Sequence, residues 1–269
     1  MAIPSDNFYI QRSIPDWGKT TYVNWNRGTP SKALIFVHGF NGSTMDTFGH
    51  FNLEFRFRPA YKDYDVYFFS YDSLFQQISN SALEFLHFLR TMHDNPDVIM
   101  QSSGMALHRN TYTEIVIAAH SLGAVVTRVA LNEGYDSGAT WLDKCKLILF
   151  APAHNGARKE LDTFINFPGY LKCMGPFLRY FVLSLSQLID PTIILAPMHE
   201  KIKELITKEG IESFTVAKKV IWASPERVVI NRKLLKDPEA IIFRKKNHSQ
   251  VCKPTATYLK PFTELEALL

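Results

Sequence analysis

Ser121 lies in IVIAAHSLGA, residues 115–124, where a run typical of a buried strand passes directly into Ala119-His120-Ser121-Leu122-Gly123 and then into an apolar helical pattern. Small residues two places before and two places after a serine let strand and helix approach closely enough for a tight, strained turn. On such a turn the hydroxyl stands above the end of a sheet. The Leu122 N–H and the helix N-terminus then face the place where negative charge develops during acyl transfer. The plainer alternative is an N-cap serine on an ordinary turn, but a cap requires neither small neighbour.

A second segment, ALIFVHGFNGSTMDTF (residues 33–48), reads as a buried strand ending at His38-Gly39, then Phe40-Asn41-Gly42 before a helical pattern. A backbone N–H just after a His-Gly of this kind supplies the second donor to an oxyanion. Phe40 and Leu122 are therefore the expected oxyanion-hole residues, with a simple Gly-rich turn as the alternative. His38 is expected to brace the loop.

Where the nucleophile sits on such an elbow, the partners follow in the order serine, acid, histidine. Of the nine histidines, those after Ser121 remain. His154 follows the strand pattern at 146–151 too closely for an acid on the next strand to precede it, and His199 opens a charged helical pattern. His248, in Lys245-Lys246-Asn247-His248-Ser249 just past the last strand pattern, is the expected base; the alternative is a surface histidine in a basic loop. The acid is expected after strand 220–224, as Glu226 first and Asp237 second, a surface carboxylate being the plain reading of either. Glutamate suffices, because the acid fixes the imidazole tautomer and stabilises the imidazolium without taking the proton.

The elements that must position these groups are legible as alternating strand and helix patterns. Strands are expected at 20–25, 33–38, 65–70, 114–119, 146–151, 220–224 and 240–244, several of them continuously apolar, as in strands buried on both faces. Helical patterns occupy 79–93 and 124–132. The expected fold class is α/β, with a mostly parallel central sheet flanked by helices. The interval 152–219 is long for a crossover, so a helical lid insertion is expected at about 157–215 within a single domain covering 1–269.

The chain has 269 residues, 46% apolar and 21% charged, with 30 basic and 26 acidic residues for a net charge of +4. That mix supports a sizeable core and argues against disorder. The mild excess of positive charge gives no footprint for nucleic acid. Cys145, Cys173 and Cys252 are far apart and outside any ligand spacing, so neither a disulfide framework nor a zinc site is expected and a reducing, cytoplasmic setting fits. The first residues lack the basic and apolar regions of a signal peptide. The apolar stretch at 177–189 contains Arg179 and is too short to span a bilayer.

Four blocks resemble serine lipase/esterase-like α/β-hydrolases, near the branch of GPI inositol deacylase and related bacterial and mitochondrial serine hydrolases: FVHGFNGS, AAHSLGAVVTRVAL, LFAPAHNGA and NHSQVCKP. They stand in the family's order across most of the chain. The resemblance implies Ser121 as nucleophile, His248 as base, and Phe40 with Leu122 as oxyanion donors. Three positions depart from the family pattern. Ala119 replaces the commoner glycine, Ala153 stands in a block often written T-P-H-x-G, and Glu226 stands where aspartate is usual.

The expected activity is hydrolysis of a carboxylic ester through an acyl-enzyme, with lipid deacylation or acyl transfer as the alternative and a non-catalytic binding protein on the same fold as the third reading. No metal or organic cofactor is expected. Phe164, Phe167, Tyr170 and Phe177 in the lid interval could line an acyl pocket or simply pack the lid. Arg244, Lys245 and Lys246 read first as a solvated charge run, and second as an attraction for an anionic substrate or lipid headgroup. The partner is thus a small-molecule or lipid ester, with peripheral lipid contact compatible and the oligomeric state open.

Overall fold

The seven strand patterns and one further strand, β1, form one sheet of eight strands, β1 (Tyr9–Ile14), β2 (Thr21–Asn26), β3 (Lys32–Val37), β4 (Tyr64–Phe69), β5 (Glu114–His120), β6 (Cys145–Phe150), β7 (Lys219–Ser224) and β8 (Ile241–Arg244), in the order β1-β2-β4-β3-β5-β6-β7-β8. β4, β3, β5, β6, β7 and β8 run parallel, while β1 pairs antiparallel with β2 and β2 antiparallel with β4. The computed structural model describes residues 9–15, 20–105, 108–158 and 183–269. Phe164, Phe167, Tyr170 and Phe177, with Cys173 and most of the first half of the expected lid, lie outside these residues.

The central strands are buried on both faces, which explains their unbroken apolar character. Helices cover them: α1 (Ile78–Asp94), α2 (Pro96–Ser102), α3 (Leu122–Asp136), α4 (Leu183–Ile189), α5 (Leu195–Thr207) and α6 (Lys260–Glu266). α1 turns Ile78, Ala82, Phe85, Phe88, Leu89 and Met92 inward and packs against α3. α5, inside the interval expected as a lid, buries Leu195, Met198, Ile202 and Leu205 and packs beside α3, serving the crossover from β6 to β7. α6 buries Phe262, whose ring centroid lies 4.2 Å from that of Phe51.

Two buried ion pairs fasten the layers. Asp65 on β4 meets Arg109 at 2.8 Å and also accepts the Tyr112 hydroxyl at 2.7 Å. Arg128 on α3 meets Asp237 at 2.6 Å, and Asp237 also accepts the Ala217 N–H at 2.9 Å. The partners in both pairs are almost fully enclosed, so losing one leaves the other charge buried without compensation.

A parallel sheet sends every strand out at the same end, and loops beyond the carboxyl ends are where such folds hold their ligands. The turn after β5 carries Ser121, the loop after β3 carries Phe40, that after β7 carries Glu226, and that after β8 carries His248. Close contact between β3 and α3 depends on Gly123. A Cβ there would meet the His38 carbonyl oxygen at 2.4 Å and that of Val37 at 2.5 Å, both backbone atoms unable to swing aside. Gly123→Ala should therefore lower stability by about 3 kcal/mol, read as a shift of the urea midpoint. An unchanged midpoint would mean that the helix and strand can separate freely.

Candidate active site

β5 ends at His120, and Ser121 turns the chain into α3 with φ 54° and ψ −119°. A non-glycine residue rarely adopts this conformation, which costs on the order of 1–3 kcal/mol unless the surroundings enforce it. Here they do. The Ser121 N–H donates to the Phe150 carbonyl at 3.0 Å, and its own carbonyl accepts N–H groups from Ala124 and Ala153, each at 3.1 Å. The APAHNGA block after β6 thus clasps the turn through Ala153.

The strained backbone aims the hydroxyl at His248. Ser121 Oγ lies 2.8 Å from His248 Nε2, and His248 Nδ1 lies 3.0 and 3.1 Å from the two Glu226 carboxylate oxygens. An ionised carboxylate can only accept, so Nδ1 carries the proton and Nε2 offers its lone pair to the serine O–H. The Glu226 side chain is 2% exposed, and Val228 and Val229 donate their N–H groups to it at 2.9 and 3.3 Å. Burial alone would push its carboxyl up. The hydrogen bond and charge of His248 and the two backbone donors outweigh it and hold the group below its usual value. Such a site can hand a serine proton to an imidazole whose positive charge is then stabilised.

The second carboxylate considered from sequence, Asp237, is occupied by Arg128 and the Ala217 N–H. Asp237 thus makes a buried structural pair, and Glu226 is the carboxylate hydrogen-bonded to His248. The loop after β3 presses directly on the turn: a Cβ on Gly39 would lie 2.8 Å from the Ser121 Cβ and 2.9 Å from His120 Nδ1. Phe40 follows this contact, and the Asn41 N–H is held by Ser73 Oγ at 3.0 Å. Leu122 is the first residue of α3, so its N–H precedes the intrahelical ladder. His38 braces the loop, with Nδ1–H donating to the Gly39 carbonyl at 2.8 Å and its ring stacked on Tyr71.

One contributor escaped sequence reasoning. His120 is buried, and its Nε2–H donates to the His248 carbonyl at 2.9 Å, while its Nδ1 has no hydrogen-bond partner. Burial and the neighbouring His248 push its pKa down to about 3, so the ring is neutral. Its sequence signal was only its place beside the serine. His154, also enclosed, donates from Nε2 to the Arg232 carbonyl at 3.0 Å, and burial with the charge of Arg128 lowers its pKa to about 4. His199 donates in turn to the His154 carbonyl at 2.6 Å. Neither is bound to Ser121 or Glu226.

No protein-family model matches the chain, and no curated protein matches it. Solved structures do. The peroxisomal α/β-hydrolase Lpx1 of Saccharomyces cerevisiae aligns over 98% of this chain and 90% of its own, with TM-score 0.57 and 12% identity. The mature lipase BlEst2 of Bacillus licheniformis aligns over 97% of this chain and 99% of its own, with TM-score 0.51 and 15% identity. The chain has the α/β-hydrolase fold. Among the described residues no helix is long and apolar enough to cross a membrane.

The two buried neutral imidazoles make stability depend on pH. Their folded pKa values, about 3 for His120 and about 4 for His154, lie below the ordinary 6.5. Between those values and 6.5 the unfolded chain binds protons that the folded chain refuses, so stability is full above pH 6.5 and falls as pH drops. Each group contributes a slope of up to ~1.4 kcal/mol per pH unit. Urea midpoints from neutral pH into the acid range should show this decline, with His120→Gln and His154→Gln each flattening it. A midpoint constant over that range would contradict the assignment.

Proposed function

We propose that this α/β-hydrolase cleaves carboxylic esters through an acyl-serine intermediate. The observation that carries the proposal is the continuous hydrogen-bond path from Ser121 Oγ through His248 to Glu226, with contacts of 2.8 and 3.0 Å. Ser121 attacks the ester carbonyl while its proton passes to His248 Nε2. Glu226 orients the ring and stabilises its positive charge. The N–H groups of Phe40 and Leu122 bind the oxygen that becomes negative. His248 then protonates the departing alcohol; next it takes a proton from water as the hydroxide adds to the acyl carbonyl, and it returns that proton to Ser121 Oγ as the acid leaves.

His120 acts in this scheme as a positioning residue, holding the backbone of His248 from beside the nucleophile. Residues of about 157–215 are kept as an insertion within one domain spanning 1–269, with α5 as its part packed beside α3. A place near the GPI inositol deacylase-like branch rests on the four sequence blocks. The free, buried thiols of Cys145 and Cys252 support a reducing, cytoplasmic setting.

Labelling by a fluorophosphonate probe should occur in the native chain and vanish in Ser121→Ala. With a p-nitrophenyl ester, Ser121→Ala and His248→Ala should each lose about 10⁶ in kcat, and Glu226→Gln about 10⁴. Asp237→Asn should instead remove about 3–5 kcal/mol of stability while the folded fraction keeps its kcat. The opposite pattern, with Asp237→Asn costing thousands and Glu226→Gln under tenfold, would reassign the acid. His120→Leu should lower kcat by about 10² with little change in KM, and His120→Gln, which restores a donor, should recover most of it. Equal loss in both variants would deny His120 a positioning role.

A further inference from the structure

The last strand and the loops around it carry an unusual charge balance. Residues 240–260 contain Arg244, Lys245, Lys246, Lys253 and Lys260 and not one Asp or Glu. Since the whole chain is +4, everything outside this stretch sums to about −1. The neighbouring carboxylates are already engaged: Glu226 with His248, Asp237 with Arg128, Glu239 with Lys233, Glu264 with Lys219, and Glu266 with Arg58. Among the described residues, none of the five cations takes part in an ion pair.

These charges are gathered by a pair of rings. Phe243 on β8 and Tyr258 meet edge to face at 5.9 Å, with the Lys260 ammonium 5.6 Å from the first centroid and that of Lys246 3.9 Å from the second. Arg244 and Lys245 are exposed beside them, at the carboxyl end of the sheet's edge strand. That is the end from which Ser121 and Glu226 also emerge. Lys253 is close enough to His120 for its charge to help keep that ring neutral. Two apolar side chains stand exposed in the same stretch, Ile242 at 47% and Leu259 at 40%.

We propose that this edge docks the chain onto an anionic lipid surface, so that the ester it cleaves is presented from a negatively charged bilayer. The substrate consequence rests on the ester-hydrolase reading above; the docking itself does not. Cations that no carboxylate among the described residues neutralises are free to pair with lipid phosphates, and Ile242 and Leu259 can enter the headgroup boundary. Binding of single-stranded nucleic acid is disfavoured because Phe243 and Tyr258, which would have to stack on bases, are buried beneath the lysines. A Lys or Arg near such a surface is worth about fivefold in partitioning.

The test is co-sedimentation of the full chain with phosphatidylcholine vesicles, with and without phosphatidylglycerol, beside hydrolysis of a soluble p-nitrophenyl ester. The native chain and Ser121→Ala should bind the anionic vesicles alike and the neutral ones poorly. The triple variant Arg244→Gln, Lys245→Gln, Lys260→Gln should bind about 100-fold more weakly while hydrolysing the soluble ester as before. Raising salt from about 0.1 to 1 M should release the native chain. Equal binding to both vesicle types, native-like binding by the triple variant, displacement by glycerol phosphate or stronger binding to an oligonucleotide would each overturn the proposal. Failure to bind with soluble hydrolysis intact removes the docking surface alone; binding without hydrolysis removes the ester-hydrolase reading alone.

Discussion

The backbone of Ser121 is held in a conformation that an isolated chain avoids, and the rest of the architecture makes that conformation affordable. With φ at 54°, the residue redirects the chain from strand to helix within one step. Three hydrogen bonds from β6, its following loop and the first turn of α3 fix it there. Gly39 and Gly123 permit the approach, since each would collide with backbone or nucleophile if it carried a side chain. The sheet interior, the helix layer and the loop after β3 therefore converge on one peptide unit. Strain stored there fixes the direction of the hydroxyl, and in the proposed reaction it would limit the reorganisation needed for attack.

Electrostatics are divided cleanly around that point. The carboxylate bound to His248 is shielded from water and kept ionised by His248 and two backbone donors, whereas the other candidate, Asp237, stabilises the flank through Arg128. Imidazoles that must not change charge are enclosed: His120 between two loops, His154 under the segment ending at Arg232. The relevant distinction among the histidines is thus environmental. The same side chain proposed as a proton carrier at 248 is a neutral hydrogen-bond donor at 120 and 154.

Much of this was readable from residue order, because parallel strands buried on both faces leave continuous apolar runs. Those at 33–38, 114–119 and 146–151 predicted β3, β5 and β6 to within a residue or two. That Ser121, Glu226 and His248 come together was legible because fold topology dictates their order along the chain. β1, YIQRSI, was missed since an antiparallel edge strand with two exposed and two half-buried positions lacks that signature. α6 escaped because its proline and short length give little periodicity. The role of His120 was hidden for another reason: a contact spanning 128 positions, made to a backbone carbonyl, leaves no mark on residue types. Residues 157–215 read as one insertion from length alone, while α5 is a flank helix whose partner α3 no local pattern names.

The separation of Ser121 from its imidazole by 127 positions also bears on biosynthesis. A ribosome-bound chain that has already emitted the elbow, β6 and even the segment carrying Glu226 still has no group to receive the hydroxyl proton. The C-terminal loop must clear the exit tunnel and lay His248 over the turn, where His120 waits for its carbonyl. If the proposed chemistry holds, the serine stays without its base until the last edge of the sheet is complete.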